Sequence, residues 1–416
     1  VICPAALKEL VWRREVEKFS DMKPIVIEGT KAQRDVLYET PADIYILNPE
    51  LLHKDFKQIQ KIVDRTSVLV VDEASVCKNT SSAVTKAIRD LADRKHYFWP
   101  MTGTPLMNSV MELYSLTYMV EPNLFRSERD FKYRYVPRNR SGVWLMHKVQ
   151  NADELVGKVA PVLFARTPSE LRDELPETSQ VIEPVTLTDK QRELYDEIRA
   201  GALVEMEKYD SANRHERFMI ARNALASLTR LRQVCIGQFT DDNPKMDRLL
   251  EMMDTDLITD KVLVFSQYEE TAIKIQKRIQ DAGYDAVLLS GSVNAKGRQE
   301  AVDKYQTDPD CKVFVMTTAG GMGLNLTKTT AVVFFDLLWN PQMMHQITGR
   351  AVRLGNTSPH VRIVTLIAQK TIEDVIVKRL HEKSATFNAI MHSEDIKPDD
   401  VDGNTMFEEI ASLLRG

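Results

Sequence analysis

Two acids at the end of an apolar run, and two arginines behind a glycine-rich turn, are the groups in this chain best suited to chemistry. Val68-Leu-Val-Val71 runs into Asp72 and Glu73. Apolar residues ending in paired carboxylates put the acids at the carboxyl end of a buried strand, where ligands bind in open α/β sheets. An aspartate there can hold Mg2+ through water, and its neighbour can orient or deprotonate an attacking water; the same pair also fits a helix cap. Much later, Val313-Phe-Val-Met316 precedes Thr317-Thr318-Ala-Gly-Gly-Met-Gly323-Leu-Asn325, then Ala331-Val-Val-Phe-Phe-Asp336, then Gln346-Ile-Thr-Gly-Arg350-Ala-Val-Arg353. Glycines directly after a strand permit a tight turn and let backbone N–H groups approach a ligand closely. Arg350 and Arg353, three apart, are expected on one side of a helix. Two permanently charged forks side by side suit a triphosphate whose charge grows during cleavage, although such pairs also occur on ordinary solvated helix faces.

Positioning these groups takes more than one sheet. With 416 residues the chain has room for two or three domains, each with its own core. Hydrophobic residues at 43% and charged residues at 28% describe a globular chain and exclude a disordered one. No apolar run approaches the roughly 18 residues of a membrane span, so a soluble compartment is expected: cytoplasm or nucleoid, the host cytoplasm for a viral protein, or the nucleus in a eukaryote. Cys3, Cys77, Cys235 and Cys311 form no CxxC pair and sit near no histidine cluster, which points away from a zinc knuckle or a disulfide framework. Fifty-five basic side chains against 60 acidic ones give a net charge of -5, so any nucleic-acid surface must be local.

Pro24-Ile-Val-Ile, Ile44-Tyr-Ile-Leu47 and Val68–Val71 alternate with helical or polar segments, the pattern of a parallel sheet with crossover helices. Tyr97-Phe-Trp-Pro-Met101 leads into Thr102-Gly103-Thr104-Pro, a small hydroxyl-rich turn able to sense whether acids beside it face a phosphate. From Glu112 to Pro161 the pattern is helical, and Arg126 to Arg140 interleaves arginines with aromatics. That run could grip a phosphate backbone, or, with Glu128 and Asp130 inside it, be a solvated salt-bridged helix. A second series of strands is expected at Lys261–Phe265, followed by Ser266-Gln267, at Val287–Leu289, followed by Ser290-Gly291, and at His360–Leu366.

The phrase Thr-Ala-Gly-Gly-Met-Gly-Leu-Asn-Leu-Thr, then Asp336, Trp339-Asn340-Pro341, Gln346 and Gly349-Arg350-Ala-Val-Arg353, resembles the late motifs of Swi/Snf-type ATPases, the double-stranded DNA translocases of helicase superfamily two. Asp72-Glu73 resembles the family's Asp-Glu-x-x motif, with Ser75 where histidine is usual; Val352 and Asn356 stand where histidine and glutamine are common. The resemblance covers nearly all of the chain. It implies an α/β fold of two tandem RecA-like lobes with parallel sheets, helical insertions and a C-terminal bracing helix. Lobe 1 would take residues 1–186 with a helical protrusion at about 106–160, and lobe 2 residues 187–416 with an insertion at about 190–235 and a brace at about 371–416.

The same resemblance implies ATP and Mg2+ as cofactors, with ATP in the cleft of the lobes. It gives Asp72 to the metal, Glu73 to the water, and Arg353, assisted by Arg350, to transition-state charge. Gly323, Asn325 and Gln346 would lie on the nucleotide side, and Thr102, Gly103 and Thr104 would couple nucleotide state to movement. Pro4, Asn48, Ser266, Gln267, Ser290, Gly291, Thr317, Thr318, Trp339 and Asn340 would contact duplex or branched DNA with little sequence preference, in a monomeric motor. A strand-separating DNA or RNA helicase, or a nucleotide-free DNA- or protein-binding scaffold, are the alternatives. No GxxxxGK[ST] loop occurs in these residues. The family places that loop just before the position of Val1, so a part of a longer protein is expected. With no chromatin-reading module in view, recombination, repair or replication is the expected setting.

Overall fold

Short β-branched and aliphatic runs form parallel strands throughout. The structure, a computed structural model, describes residues 1–79, 82–93, 97–103, 109–138, 142, 144–145, 148–165, 170, 174–208, 214–318, 323–338, 341–377 and 414. They fall into two units, one up to residue 165 and one from residue 170 onward.

In the first unit, β1 (Pro24–Val26) pairs with β2 (Ile44–Ile46), and β3 (Val68–Val71) with β4 (Tyr97–Pro100), all parallel. Residues 1–3 run between the two pairs, because Ile2 bridges both Leu47 and Val71 in parallel register. The N–H of Cys3 donates to Leu47 O at 2.9 Å and that of Asp72 to Ile2 O at 2.8 Å. Leu69, Val71 and Phe98 pack into a core with Ile2, Leu47, Ile88 and Leu91. The alternate residues Val68, Tyr97 and Trp99 are exposed, so this end of the sheet buries one face. Helices Met111–Val120, Glu128–Tyr135 and Ala152–Val159 form a separate aromatic cluster around Phe125, Phe131 and Tyr135.

The second unit holds β5 (Glu177–Val185), β6 (Val262–Phe265), β7 (Asp285–Leu289), β8 (Cys311–Met316), β9 (Ala331–Phe334) and β10 (His360–Ala368). They form one six-stranded sheet in the order β5-β10-β9-β6-β8-β7, and every pairing is parallel. Every residue of β6 and β9 is buried. Their side chains alternate between two cores, one with Val262, Val264 and Val333, the other with Leu263, Phe265 and Phe334. Burial on both faces is why these strands read as unbroken apolar runs. Helices Asp189–Met206 and Arg214–Cys235 carry the stretch read as a helical insertion.

The structure moves the expected boundary near Thr186. Strand β5 pairs residue for residue with β10, Glu177 opposite His360 through Val185 opposite Ala368, so it is the edge strand of the second unit. Its alternating sequence announces a strand but not which sheet it joins. Of the brace expected at about 371–416, residues 372–377 are helical and most of the remainder lies outside the described residues. Among the described residues no helix is long and apolar enough to cross a membrane.

One buried ion pair ties the second unit together. Lys245 is 1% exposed and donates to Phe335 O at 3.1 Å, Leu366 O at 2.9 Å and both carboxylate oxygens of Glu373 at 2.8 and 2.7 Å. Glu373 also accepts the Ala368 N–H at 2.7 Å. Removing one partner leaves a charge buried and unpaired, so Lys245→Met is expected to lower the unfolding free energy by about 3–5 kcal/mol. Lys245→Met combined with Glu373→Met should regain most of it. Urea unfolding of the three proteins checks this, and a double variant as unstable as the single one would contradict it.

Candidate functional site

In the first unit the turns after β3 and β4 are stitched together: Met101 N–H donates to Val71 O at 2.7 Å, and Ala74 N–H to Met101 O at 2.8 Å. Asp72 and Glu73 therefore stand beside Thr102 and Gly103; Thr104 lies outside the described residues. One Asp72 oxygen accepts the Glu73 N–H at 2.9 Å, and the other accepts the Trp12 indole N–H at 2.9 Å. Trp12 sits in a wide π-helical turn, Lys8–Arg13, of the kind often found at functional sites. Each carboxylate oxygen keeps lone-pair capacity beyond its one donor. Glu73 has φ +49° and ψ +51°, a left-handed backbone that costs a non-glycine residue about 1–2 kcal/mol and tends to persist where it serves a site.

Among the described residues no group of three or more His, Cys, Asp or Glu could hold a metal by itself. Asp72 fits the way Mg2+ is usually bound, by one or two carboxylates with water and phosphate oxygens completing the shell. Pro4 and Asn48 follow the neighbouring strands at the same edge and are half-buried. The Asn48 side chain donates to the Glu50 carboxylate while its backbone O accepts the Leu51 N–H at 3.0 Å, so its amide does not cap the next helix.

In the second unit the carboxyl ends of β6, β8 and β7 lie side by side. Ser266 N–H donates to Met316 O and Thr317 N–H to Leu289 O, each at 3.1 Å. The side chains of Ser266, Thr317 and Ser290 are buried. Ser290 Oγ donates to Glu269 at 2.6 Å, and Ser266 Oγ to Asp336 at 2.7 Å. At this row it is Gln267 and Gly291, both exposed, and half-buried Thr318 that reach the surface. Trp339, Asn340 and the glycines at 320 and 321 lie outside the described residues.

The arginines are not on a helix as expected. Helix Pro341–Thr348, which carries half-buried Gln346, ends before Gly349, a poor helix former. Shorter turns follow, with Arg350 N–H donating to Ile347 O at 3.0 Å and Ala351 N–H to Thr348 O at 2.9 Å. This turn is bound to the glycine loop: Leu326 N–H donates to Arg350 O at 3.0 Å, and Arg353 Nη1 to Leu324 O at 3.5 Å. Gly323 takes φ +71°, open to glycine at little cost, and Asn325 is exposed. Asn356 donates to Thr329 O at 2.9 Å and Ala351 O at 2.8 Å, so the residue that departs from the family pattern helps hold the turn. Gly323, Asn325, Arg350 and Arg353 thus form one neighbourhood.

Asp336 is the group whose role sequence reasoning did not supply. It is 2% exposed and accepts the Ser266 hydroxyl at 2.7 Å and the Gln267 N–H at 2.8 and 3.0 Å. Arg232 in turn donates to Gln267 Oε1 at 2.8 Å and to Leu337 O. Burial pushes the Asp336 carboxyl from 3.8 up to about 6, against the opposing pull of the Ser266 and Gln267 hydrogen bonds and of Arg232 and Lys245. The folded chain holds this proton more tightly than the unfolded one does. The stability it contributes is therefore complete below about pH 4 and lost as pH rises through 6, on the order of 3 kcal/mol. Asp336→Asn is expected to flatten this part of the stability curve between about pH 4 and 7; parallel curves from urea titrations would contradict it.

Residues 1–239 match the SNF2-related domain family, and residues 244–355 match the helicase conserved C-terminal domain. The chain belongs to the SNF2-related family. It is 27% identical to an uncharacterized ATP-dependent helicase of Mycoplasma genitalium, over 95% of this chain and 38% of that protein. It is also 27% identical to the mouse chromodomain-helicase-DNA-binding protein 1-like, over 96% and 45%, and 26% identical to the Arabidopsis thaliana ATP-dependent DNA helicase DDM1, over 97% and 57%. The chain thus spans well under two thirds of these relatives. The Sulfolobus solfataricus SWI2/SNF2 ATPase core in complex with dsDNA is 26% identical, covering 95% of this chain and 82% of that one, with a TM-score of 0.44.

Proposed function

We propose that this chain is the motor core of an ATP-dependent DNA translocase that acts on duplex or branched DNA. The observation that carries the reading is the joining of the Gly323–Asn325 loop to the Arg350–Arg353 turn, by Leu326 N–H to Arg350 O and Arg353 Nη1 to Leu324 O, which brings the glycine loop and both arginine residues together. Names of the relatives, an ATP-dependent helicase and an ATP-dependent DNA helicase, support both the nucleotide and the track.

In this reading Asp72 orients Mg2+, which when bound supplies charge neutralisation at the phosphates. Glu73, fixed in its left-handed conformation, positions the attacking water and takes its proton. Thr102 and Gly103, directly after the Met101 that is bonded to that turn, register the change as phosphate is lost. Arg353 and Arg350 stabilise charge on the transferred phosphoryl group. Gln267, Gly291, Thr318, Pro4 and Asn48 hold the DNA backbone with little regard to sequence. Ser266, Ser290 and Thr317 shape those loops from beneath, since their side chains are buried. The nucleus or nucleoid is the compartment this substrate implies.

The test is ATP hydrolysis by the protein with whatever its natural reading frame adds upstream of Val1, measured without nucleic acid and with single-stranded DNA, duplex DNA, branched DNA and RNA. Stimulation by duplex or branched DNA is expected. Stimulation by single strands or RNA alone would favour a strand-separating helicase, and no hydrolysis despite nucleotide binding would leave a scaffold.

A further inference from the structure

The helix Glu128–Tyr135 buries Phe131 and Tyr135 in an aromatic cluster with Tyr114 and Phe125. Its other side carries Arg129, Lys132 and Tyr133, one to two residues removed from the buried pair around the helix. Arg138, just beyond this helix, forms an antiparallel bridge with Trp144. Tyr133, 53% exposed, meets Trp144 edge-on with ring centroids 5.0 Å apart. Three cations sit on these two rings. The Arg138 guanidinium lies 3.8 Å from the Trp144 centroid and 4.9 Å from that of Tyr133; Arg129 is 5.6 Å from Tyr133, and Lys132 is 5.1 Å from Trp144.

Two neighbouring acids are engaged elsewhere, while Glu128, exposed at the start of the same helix, forms no ion pair among the described residues. Asp130 faces Arg126 at 3.7 Å, and Glu154 pairs with Arg134 while accepting the Tyr135 hydroxyl at 2.8 Å. Among the described residues no ion pair involves Arg129, Lys132 or Arg138. Arg138 and Arg129 also donate to the Tyr133 hydroxyl, but a guanidinium carries five N–H donors, so others remain for further partners. Three like charges fixed on two adjoining rings repel one another, and an anion spanning them relieves that repulsion. Nothing in the proposed motor chemistry uses them.

We propose that Arg129, Lys132 and Arg138, held on Tyr133 and Trp144, form an accessory binding surface for the phosphate backbone of duplex DNA, separate from the loops at the strand ends. Duplex DNA is favoured over an acidic protein because the chain is read above as a DNA motor, a reading on which this surface rests. Its regularly spaced phosphates match several fixed cations at once. The surface adds affinity without sequence preference.

The test is a duplex-binding titration of the protein at several salt concentrations, alongside Arg129→Gln, Lys132→Gln and Arg138→Gln combined. Each lost phosphate contact removes about 0.9 from the slope of log affinity against log salt. The combined variant is expected to bind about tenfold or more weakly at about 100 mM salt, with a slope smaller by about 2–3. Arg129→Lys with Arg138→Lys should keep the slope. The side chains are at the surface, so the thermal unfolding transition should stay within a few degrees and report intact folding. Unchanged affinity and slope in the combined variant, with the unmodified protein binding duplex DNA, would overturn the surface and leave the motor reading standing. Weaker binding with an unchanged slope would overturn it too, as would a parallel titration with polyglutamate in which the combined variant loses polyglutamate binding but not DNA binding. No duplex binding by the unmodified protein would overturn the motor reading and this surface together.

Discussion

Glu73→Gln is expected to lower ATP turnover by roughly 100- to 10,000-fold while leaving nucleotide binding near its original strength. The expected size is that of a positioned general base. Glutamine keeps the shape and the hydrogen-bonding reach of the side chain but cannot accept the proton of the attacking water. The substitution is clean because the backbone is undisturbed: Glu73 holds φ +49° by virtue of the turn around it, with its own N–H donating to Asp72 at 2.9 Å. Turnover under saturating ATP and duplex DNA, beside nucleotide affinity measured directly, separates the two effects. A variant that hydrolyses ATP within tenfold of the unmodified protein would show that Glu73 is not the base and that its strained backbone serves something else.

Arg353→Ala is expected to cost roughly a thousandfold or more in turnover, the scale on which an arginine that stabilises a transferring phosphoryl group acts. Arg353→Lys should recover little of this, because an ammonium lacks the planar fork that meets two phosphate oxygens at once. The guanidinium also touches Leu324 O at 3.5 Å, so the variant could loosen the glycine loop. A thermal unfolding transition close to the original excludes that explanation. Arg350→Ala should cost less, since the role proposed for it is assistance. Equal and small losses for both arginines would place them on an ordinary solvated turn.

How much of this was legible in the sequence follows from how local each feature is. Strands β6, β8 and β9 announce themselves because burial on both faces demands apolar residues without interruption. The position of Asp72 and Glu73 at the end of β3 is legible from the apolar run before them, but their role is not, since the same pair also fits a helix cap. The end of the helix at Thr348 was missed, since Arg350 and Arg353 fit a helical spacing equally well and only the backbone bonds of the turn decide. Features that join distant segments left no trace. Trp12 lies 60 residues from the carboxylate it anchors, and Lys245 lies 128 residues from Glu373. Lysine and glutamate are ordinarily surface residues, so nothing in either position hints at burial. Asp336 closely follows β9 in the sequence, but its grip on Ser266 and Gln267 is set by strand order, with β9 beside β6. That order is a property of the sheet rather than of either strand.

The central claim, that ATP hydrolysis moves this protein along duplex DNA, is tested most directly by displacement of a third strand from a triplex. The protein, with whatever its natural reading frame adds upstream of Val1, is started on duplex that flanks a bound triplex-forming oligonucleotide. Release of the third strand is followed with ATP, without ATP, and with Glu73→Gln. The account predicts release that requires ATP, disappears in the variant and leaves the two duplex strands annealed. Vigorous DNA-stimulated ATP hydrolysis with the third strand still in place would contradict it.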